Sequence, residues 1–389
     1  MPNVVHGGGS RGQRVIGVAT KDPFDVRTFS GCSAHLFAAI ESLGSPVTPI
    51  ISRRLGVADV ATGAVNPVSL LLHRGDSAHP KIRSSWYWSR RTSERFSKRF
   101  DLELSMIGGE GVILQVGSHV RASRSGYRSF CITDVTVAQA VSAGQFSVAG
   151  ASDRVIAEAI EYQSEVFESC EKVFVFSQWA AQSVIDDYGY SSDRVVVVGA
   201  GGNLDSEVSR RVDPQRRYLL FIGIDWHRKG GRLMLDAFRD VRLAYPDVAL
   251  RIVGCEPDIH EDGVEVVGFL NKNDPVDAAR LLNLYAGATC LVLLSDFDPF
   301  PIVILEAASL GVPVVSTNEG SRPEMVVSGE TGILANRNAA EIAAAIKTML
   351  VDPASAEAMG QAAQRRALSR FTWPNVADRV LSEMGVTRN

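Results

Sequence analysis

The sequence predicts an α/β protein made of two doubly wound halves in tandem, each a parallel sheet covered by helices. Three observations predict it. Short apolar runs rich in branched residues alternate with longer helical patterns along the whole chain, which is the rhythm of strand, helix, strand units. That rhythm stops at residues 201–217, GGNLDSEVSRRVDPQRR, a polar and glycine-bearing stretch without periodicity, and then starts again. At 389 residues the chain also exceeds what one hydrophobic core supports, so two domains of roughly 150 to 200 residues are expected.

Each element can be justified in order. Residues 1–13 read as a flexible tail. RVIGVAT is then a short buried strand, and SAHLFAAIESLG a helix ending at Gly44, where a C-cap glycine belongs. VTPI resumes extended structure. GVILQVG, RSFCITD, KVFVFS and RVVVVGA follow as strands bounded by polar or glycine signals. SDRVIAEAIEYQSEVFESC is a helix in which Ile156, Ile160 and Phe167 recur near helical spacing. Past the break, YLLFIGI, VALRIVG, VEVVGFL, CLVLLS and VPVVST are strands, while GGRLMLDAFRDVRLAYP, PVDAARLLNLYAGA and IVILEAASLG are helices. Two such halves leave a cleft between them, and the carboxyl ends of parallel strands are where these sheets bind ligands.

The totals exclude several classes of function. Apolar residues make up 46% of the chain and the net charge is −4, which fits a globular protein and argues against a general nucleic-acid binder. No apolar run reaches the ~18 to 20 residues that a membrane-spanning helix needs. The N-terminal MPNVVHGGGSRGQRV lacks the apolar core of a secretory signal, so a cytoplasmic protein is expected. Cys32, Cys131, Cys170, Cys255 and Cys290 stand far apart, without the paired spacing of a zinc or redox site, and read as reduced, buried, small hydrophobes.

The chemistry concentrates in residues 293–317, LLSDFDPFPIVILEAASLGVPVVST. Asp296 and Asp298 form an Asp-x-Asp that could hold a metal. Asp298 and Glu306, eight positions apart, could instead hold a sugar nucleotide without one. The strand CLVLLS ends at Ser295, so both aspartates lie on a loop after a strand's carboxyl end. Pro301 is expected at the first helical position, where its missing N–H costs nothing, and the helix runs to Gly311. Glu306 then sits one turn inside, on the face of Ile302. A helix N-terminus suits a diphosphate, Glu306 can accept from vicinal ribose hydroxyls, and Asp298 can reach the sugar. The plainer reading is that Glu306 complements the helix dipole and Asp298 solvates a turn. The residues by themselves leave both open.

DPFPIVILEAASLGVPVVST followed by GSRPEMVVSGETGIL resembles the signature of glycosyltransferase family 4, with its Glu-x7-Glu motif, GxPVV strand and PE…V…G…TG loop. The resemblance extends over nearly the whole chain. TFSGCSAHLFAAIESLG is similar to the family's glycine-containing loop and first helix, and VFVFSQWAAQSVIDDYGYSSDRVVVVGAGGN to the segment closing its N-terminal domain. FIGIDWHRKGGRLMLDAFRDVRLAYPDVALRIVG is like the start of its nucleotide-binding domain, and RFTWPNVADRVLSEM like its last helix. The implied architecture is the GT-B fold, two Rossmann-like domains facing across a cleft. It divides the chain into an acceptor-binding domain over 1–203, a linker over 204–216, a nucleotide-sugar domain over 217–372 and a helix over 373–389 that crosses back to the first domain. The Asp-x-Asp metal motif belongs to the unrelated GT-A fold, so the resemblance implies no metal and no cofactor.

The resemblance also implies roles. It places the donor, a UDP- or GDP-linked sugar, against Gly31, Arg228, Lys229, Gly254, Phe269, Leu270, Pro301, Ile302, Val303 and Glu306. Asp298, Lys229, Arg228 and Asp134 would act at the reacting centre, with the two cations stabilising the departing diphosphate. Phe269 could equally serve in the core. Asp134 stands where many relatives have a histidine, and His119, in VGSHVR, is its rival. Three departures weigh against a standard member. Asp298 replaces the first motif Glu, Pro301 replaces a glycine, and Ile224 stands where an arginine is common.

On the acceptor side, KIRSSWYWSRRTSERFSKRF (81–100) is basic with interleaved aromatics. As a helix it would carry Arg91, Arg95 and Arg99 on one face and Phe96 and Phe100 on another, like a helix lying on an anionic membrane. The expected protein is therefore a retaining, metal-independent glycosyltransferase moving a hexose to a hydroxyl acceptor: a saccharide, a lipid-linked glycan or a small molecule. Peripheral contact with the inner face of the membrane through 81–100 is part of that expectation. The alternatives are a sugar-nucleotide isomerase or hydrolase of the same fold, and a degenerate sugar-nucleotide-binding protein. A plain NAD-dependent enzyme is disfavoured, because no Gly-x-Gly-x-x-Gly follows the first strand of either half.

Overall fold

The computed structural model describes residues 14–19, 22–24, 28–51, 88–107, 110–144, 151–204, 212–213 and 217–387. The N-terminal tail, residues 81–87 of the basic segment, and 205–211 and 214–216 of the expected linker lie outside the described residues. The chain separates into two compact units. One comprises Met1–Phe176, Ala181–Val198 and Trp373–Asn389; the other comprises Ser177–Ala180 and Gly199–Thr372.

The first unit is built on a parallel six-stranded sheet in the order β2-β1-β3-β4-β5-β6. Its strands are β1 (Val15–Ala19), β2 (Val47–Ile51), β3 (Gly111–Val116), β4 (Tyr127–Thr133), β5 (Lys172–Val175) and β6 (Val195–Val197). β1 and β3 are buried at every position, which is why they read as unbroken apolar runs rather than alternating ones. The helices are α1 (Cys32–Ser42), α2 (Arg90–Ile107), α3 (Val137–Ser142), α4 (Asp153–Glu168) and α5 (Gln178–Asp186). α1 ends just before Gly44, whose φ of 85° closes it as expected.

Two helical faces differ from expectation. In α4 the buried stripe is Ala159, Tyr162, Gln163, Val166 and Phe167, while Ile156 and Ile160 are only half-buried. Burial of Gln163 is tolerated because both ends of its amide are engaged: it accepts from Val137 N (2.8 Å) and the Tyr188 hydroxyl, and donates to Ser118 Oγ (2.5 Å). In α2, Phe100 and Leu104 enter a cluster with Ile16, Val18 and Ile113, and Phe96 packs on its edge. The Phe96/Phe100 face is thus core, and the reading of it as a membrane-facing surface is corrected. The outward face of α2 is Arg91, Glu94, Arg95 and Lys98, continued by exposed Leu102 and Met106.

The second unit has a parallel six-stranded sheet in the order β12-β11-β10-β7-β8-β9. Its strands are β7 (Tyr218–Ile222), β8 (Ala249–Val253), β9 (Val264–Gly268), β10 (Cys290–Leu293), β11 (Val314–Thr317) and β12 (Gly332–Ala335). The helices are α6 (Gly231–Ala244), α7 (Pro275–Ala286), α8 (Ile302–Ser309), α9 (Arg322–Met325), α10 (Ala339–Val351) and α11 (Pro353–Arg370). Leu219, Phe221, Phe238, Leu250, Val292, Ile342 and Ile346 form its core between the sheet, α6 and α10. Pro301 is extended (φ −71°, ψ 96°) and is the N-cap, so α8 begins one residue later than expected. α12 (Trp373–Glu383) belongs to the first unit, where it packs on α1 and Trp373 stacks with His35 at 6.3 Å.

The order of the second sheet reverses between β7 and β10. Such a switch point leaves a crevice at the strands' carboxyl ends, because the connections leave β7 and β10 to opposite sides.

Candidate active site

The carboxyl ends of β7, β8 and β9 are tied side by side by glycine backbone. Gly223 N donates to Val253 O and Gly254 N to Gly268 O, each at 2.9 Å. Gly254 has φ 95°, and a Cβ there would lie 2.9 Å from Gly223 O. Only glycine fits this approach.

After β7 the chain turns over the end of β10. Arg228 N donates to Asp225 Oδ1 (3.0 Å) and Lys229 N to Asp225 O (3.0 Å), which shapes the turn. Gly230, at φ 78°, lies so close to β10 that a Cβ would come within 2.1 Å of Leu294 O. That contact carries the preceding residues onto the loop after β10. Asp296 N donates to Arg228 O (2.8 Å), and Arg228 Nη1 to Phe297 O (3.0 Å). Lys229 Nζ is paired directly with Asp298. The structure therefore brings Arg228, Lys229 and Asp298 together at the switch point.

The two aspartates of the Asp-x-Asp have separate cationic partners. Asp296 pairs with Arg337, whose Nη1 also donates to Leu294 O (2.7 Å) and Ser295 O (3.0 Å). Arg322 is fully buried under the same loop and donates to Thr317 O (3.1 Å), Ser295 O (3.3 Å) and Glu319 (2.8 Å). Burial draws both guanidinium pKa values down, yet an arginine stays charged at working pH. Among the described residues no three His, Cys, Asp or Glu side chains group as a metal site.

Glu306 is completely buried on α8. Its Oε2 accepts from the Tyr285 hydroxyl at 2.9 Å, and its Oε1 is paired with Lys272 Nζ. Burial, reinforced by the neighbouring carboxylate, pushes the Tyr285 phenol well above its ordinary pKa, so it remains a donor. Pro301 and Ile302 are buried and Val303 half-buried at the start of α8, and Pro301 supplies no side-chain cap. Phe269 is 64% exposed whereas Leu270 is buried, which removes the core reading of Phe269. Ile224 is exposed beside the turn. Sequence reasoning missed Lys272, Tyr285, Arg322 and Arg337. Tyr285 lies inside the helix PVDAARLLNLYAGA and Lys272 between two elements, where no motif or spacing singles them out.

The remaining candidates belong to the first unit. Gly31 (φ 85°) is the N-cap of α1 and follows Phe29 (φ 51°) and Ser30 (φ 56°). Left-handed backbone at two non-glycine residues is costly and collects at functional sites. Asp134 is half-buried directly after β4, ahead of the Thr136 cap of α3. His119 follows β3, half-buried edge-on to Trp88 at 5.8 Å, and burial lowers its imidazole to about 4. It is neutral at pH 7.

Residues 205–366 match the family model described as glycosyl transferases group 1. The second unit carries a group 1 glycosyl transferase domain. Among curated relatives, this chain is 31% identical over 255 residues to a glycogen synthase of Mycobacterium tuberculosis, covering 62% of this chain and 60% of that protein. It is 27% identical over 242 residues to a D-inositol 3-phosphate glycosyltransferase of Corynebacterium aurimucosum, covering 55% and 56%. The chain thus spans less than two thirds of the length of these relatives. Among solved structures, it is similar to sucrose-phosphate synthase of Thermosynechococcus elongatus, with a TM-score of 0.68 at 16% identity over 96% of this chain and 98% of that one. WaaG, a glycosyltransferase involved in lipopolysaccharide biosynthesis, gives 0.67 at 13% identity over 95% and 100%. The fold of this glycosyl transferase domain and of the unit beside it in sequence is GT-B.

Proposed function

We propose that the protein is a retaining glycosyltransferase that moves a hexose from a nucleoside-diphosphate sugar to a hydroxyl acceptor without a metal. The observation that carries this reading is the Lys229–Asp298 pair, with Arg228 beside it, at the switch point of the matched domain. Two cations next to the start of α8 suit a diphosphate, because the charge that grows on the leaving group meets fixed positive charge and backbone amides there. Glu306 lies one turn into α8 and takes the ribose hydroxyls. Asp298 orients the sugar and holds Lys229 in place. The acceptor hydroxyl attacks on the face that the diphosphate leaves, and the leaving phosphate takes its proton. Gly31 brings its backbone to the donor phosphates, and Asp134, with His119 as its rival, acts at the reacting centre.

UDP or GDP is the expected leaving group, and one solved structure similar to this chain holds UDP and glucose (TM-score 0.60 at 14% identity). Each aspartate of the loop already has a cation of its own, which supports a donor site that neutralises phosphate with side chains rather than a metal. We place the protein in the cytoplasm. The outward face of α2, cationic at one end and apolar at the other, supports peripheral contact with an anionic membrane and hence a lipid-linked acceptor.

The test is calorimetric binding of UDP, GDP, ADP, dTDP and CDP with EDTA and with magnesium, followed by turnover of the matching nucleotide sugar. One preferred nucleotide bound equally well in both conditions is the expected result. Binding only with magnesium would restore the metal reading of Asp296 and Asp298. Turnover without any acceptor would make the protein a sugar-nucleotide hydrolase or isomerase, and binding without turnover a degenerate relative.

A further inference from the structure

The two partners of Glu306 are unlike. Tyr285 is completely buried on α7, so its hydroxyl has no other donor role available without being left unpaired in the core. Lys272 is on the surface turn between Leu270 and α7, and its side chain is 40% exposed. The turn holds its own shape through Asn271 N to Asp277 Oδ2 (2.9 Å), Asn273 N to Asn271 Oδ1 (3.1 Å) and Asp274 N to Asn271 O (2.9 Å), none of which needs the lysine. A flexible four-carbon stem can return the ammonium to water while the turn stays intact. Oε1 of Glu306 is therefore the acceptor that a ligand can take over, and Oε2 is the one that fixes the carboxylate.

From this geometry we infer that Lys272 is a displaceable latch on Glu306 that closes the ribose subsite when no donor is bound and opens only for a ligand carrying a vicinal diol. The inference rests on the assignment of Glu306 to the ribose made above. A hydroxyl pair replaces the ammonium on Oε1 and leaves the Tyr285 bond in place. A nucleotide lacking those hydroxyls has nothing to offer the carboxylate, so the lysine stays. The latch makes ribonucleotides bind more weakly than an open site would, because a charge-assisted hydrogen bond must first be given up. Its usual strength corresponds to roughly tenfold to a hundredfold in affinity. In exchange the latch keeps a completely buried carboxylate compensated in the empty protein, and makes Lys272 a specificity-determining residue at the ribose.

The experiment titrates UDP and GDP, each beside its 2′,3′-dideoxy counterpart, into the wild-type protein, Lys272→Met and Lys272→Gln. Lys272→Gln retains a neutral donor and serves if the methionine variant folds poorly, which circular dichroism reports. The expected result is that Lys272→Met tightens the preferred ribonucleotide about tenfold or more, Lys272→Gln tightens it less, and the dideoxy forms change by less than about twofold in either variant. Weaker or unchanged ribonucleotide binding, or equal gains for both forms, overturns the latch and makes Lys272 a phosphate or surface contact. Equal affinity of the wild type for ribo and dideoxy forms overturns the assignment of Glu306 to the ribose, which is a separate failure.

Discussion

Lys229 on the turn after β7 and Asp298 on the loop after β10 form an ion pair whose side chains are only 13% and 12% exposed. The pair joins positions 69 apart in sequence, and it exists because β7 and β10 are neighbours at the sheet's switch point. A pair so withdrawn from water is costly to break from one side, since the surviving charge is left without its partner. Lys229→Met should therefore lower stability by about 3–5 kcal/mol, and the double variant Lys229→Met/Asp298→Leu by less than the sum of the two single changes. Urea unfolding of the four proteins measures this coupling. Turnover of the preferred nucleotide sugar by Lys229→Met should fall by roughly 10²–10³, the usual loss when one charge-stabilising donor is removed. Turnover within twofold of wild type would take Lys229 out of the reaction.

The same relationship explains what was legible in the sequence. The strands were readable because both faces of each sheet are covered, which turns them into apolar runs bounded by glycine and polar residues. β12 was not, since Gly332–Ala335 is four residues within a turn-rich loop. Spacing singled out Asp298 and Glu306 as candidates, and the resemblance gave them roles. Their cationic partners were hidden, because Lys272 lies 34 positions from Glu306 and Lys229 lies 69 from Asp298, and only the sheet order brings them near. The helical wheel of α2 grouped Phe96 with Phe100, but a wheel does not say which face meets a core, and of the three arginines set apart from them Arg91 is exposed while Arg95 and Arg99 are half-buried. Pro301 was misplaced by one residue because its fixed φ fits both a first helical position and a cap; its ψ of 96° decides for the cap.

His119 should leave a signature in the pH dependence of stability. Burial holds its imidazole at about 4 in the folded protein, against 6.5 for an ordinary histidine. Between those values the unfolded chain binds a proton that the folded one refuses, so stability is level above pH 6.5 and falls as the pH drops toward 4. The contribution is about 1–3 kcal/mol, reduced from the full shift because the side chain is only half-buried. Urea midpoints of wild type and His119→Asn at pH 7, 6, 5 and 4.5 should converge as the pH falls, because the variant lacks this loss. A gap between the two that stays constant with pH would mean that the imidazole is not sequestered.

The exposed face of α2 makes a sharper prediction. Arg91, Arg95, Lys98, Leu102 and Met106 follow at steps of four, three, four and four residues, which puts them on one side of the helix. Leu102 is 61% and Met106 66% exposed, so neither side chain is committed to the core. A cation near an anionic bilayer contributes about 1 kcal/mol, and each apolar side chain that enters the interface adds up to about 1.5–3 kcal/mol. The first contribution is screened by salt while the second is not, since only the charges act at a distance. Sedimentation with vesicles containing phosphatidylglycerol should therefore show binding that raised salt weakens and that Leu102→Asp/Met106→Asp abolishes at any salt. Arg91→Glu/Lys98→Glu should lose chiefly the salt-dependent part. Nucleotide affinity should remain within twofold in both variants, because none of the four substituted residues is among the proposed donor contacts. Equal binding of wild type and the Leu102→Asp/Met106→Asp variant, or equal binding to vesicles of phosphatidylcholine alone, would remove this face from membrane contact and leave a soluble acceptor as the reading.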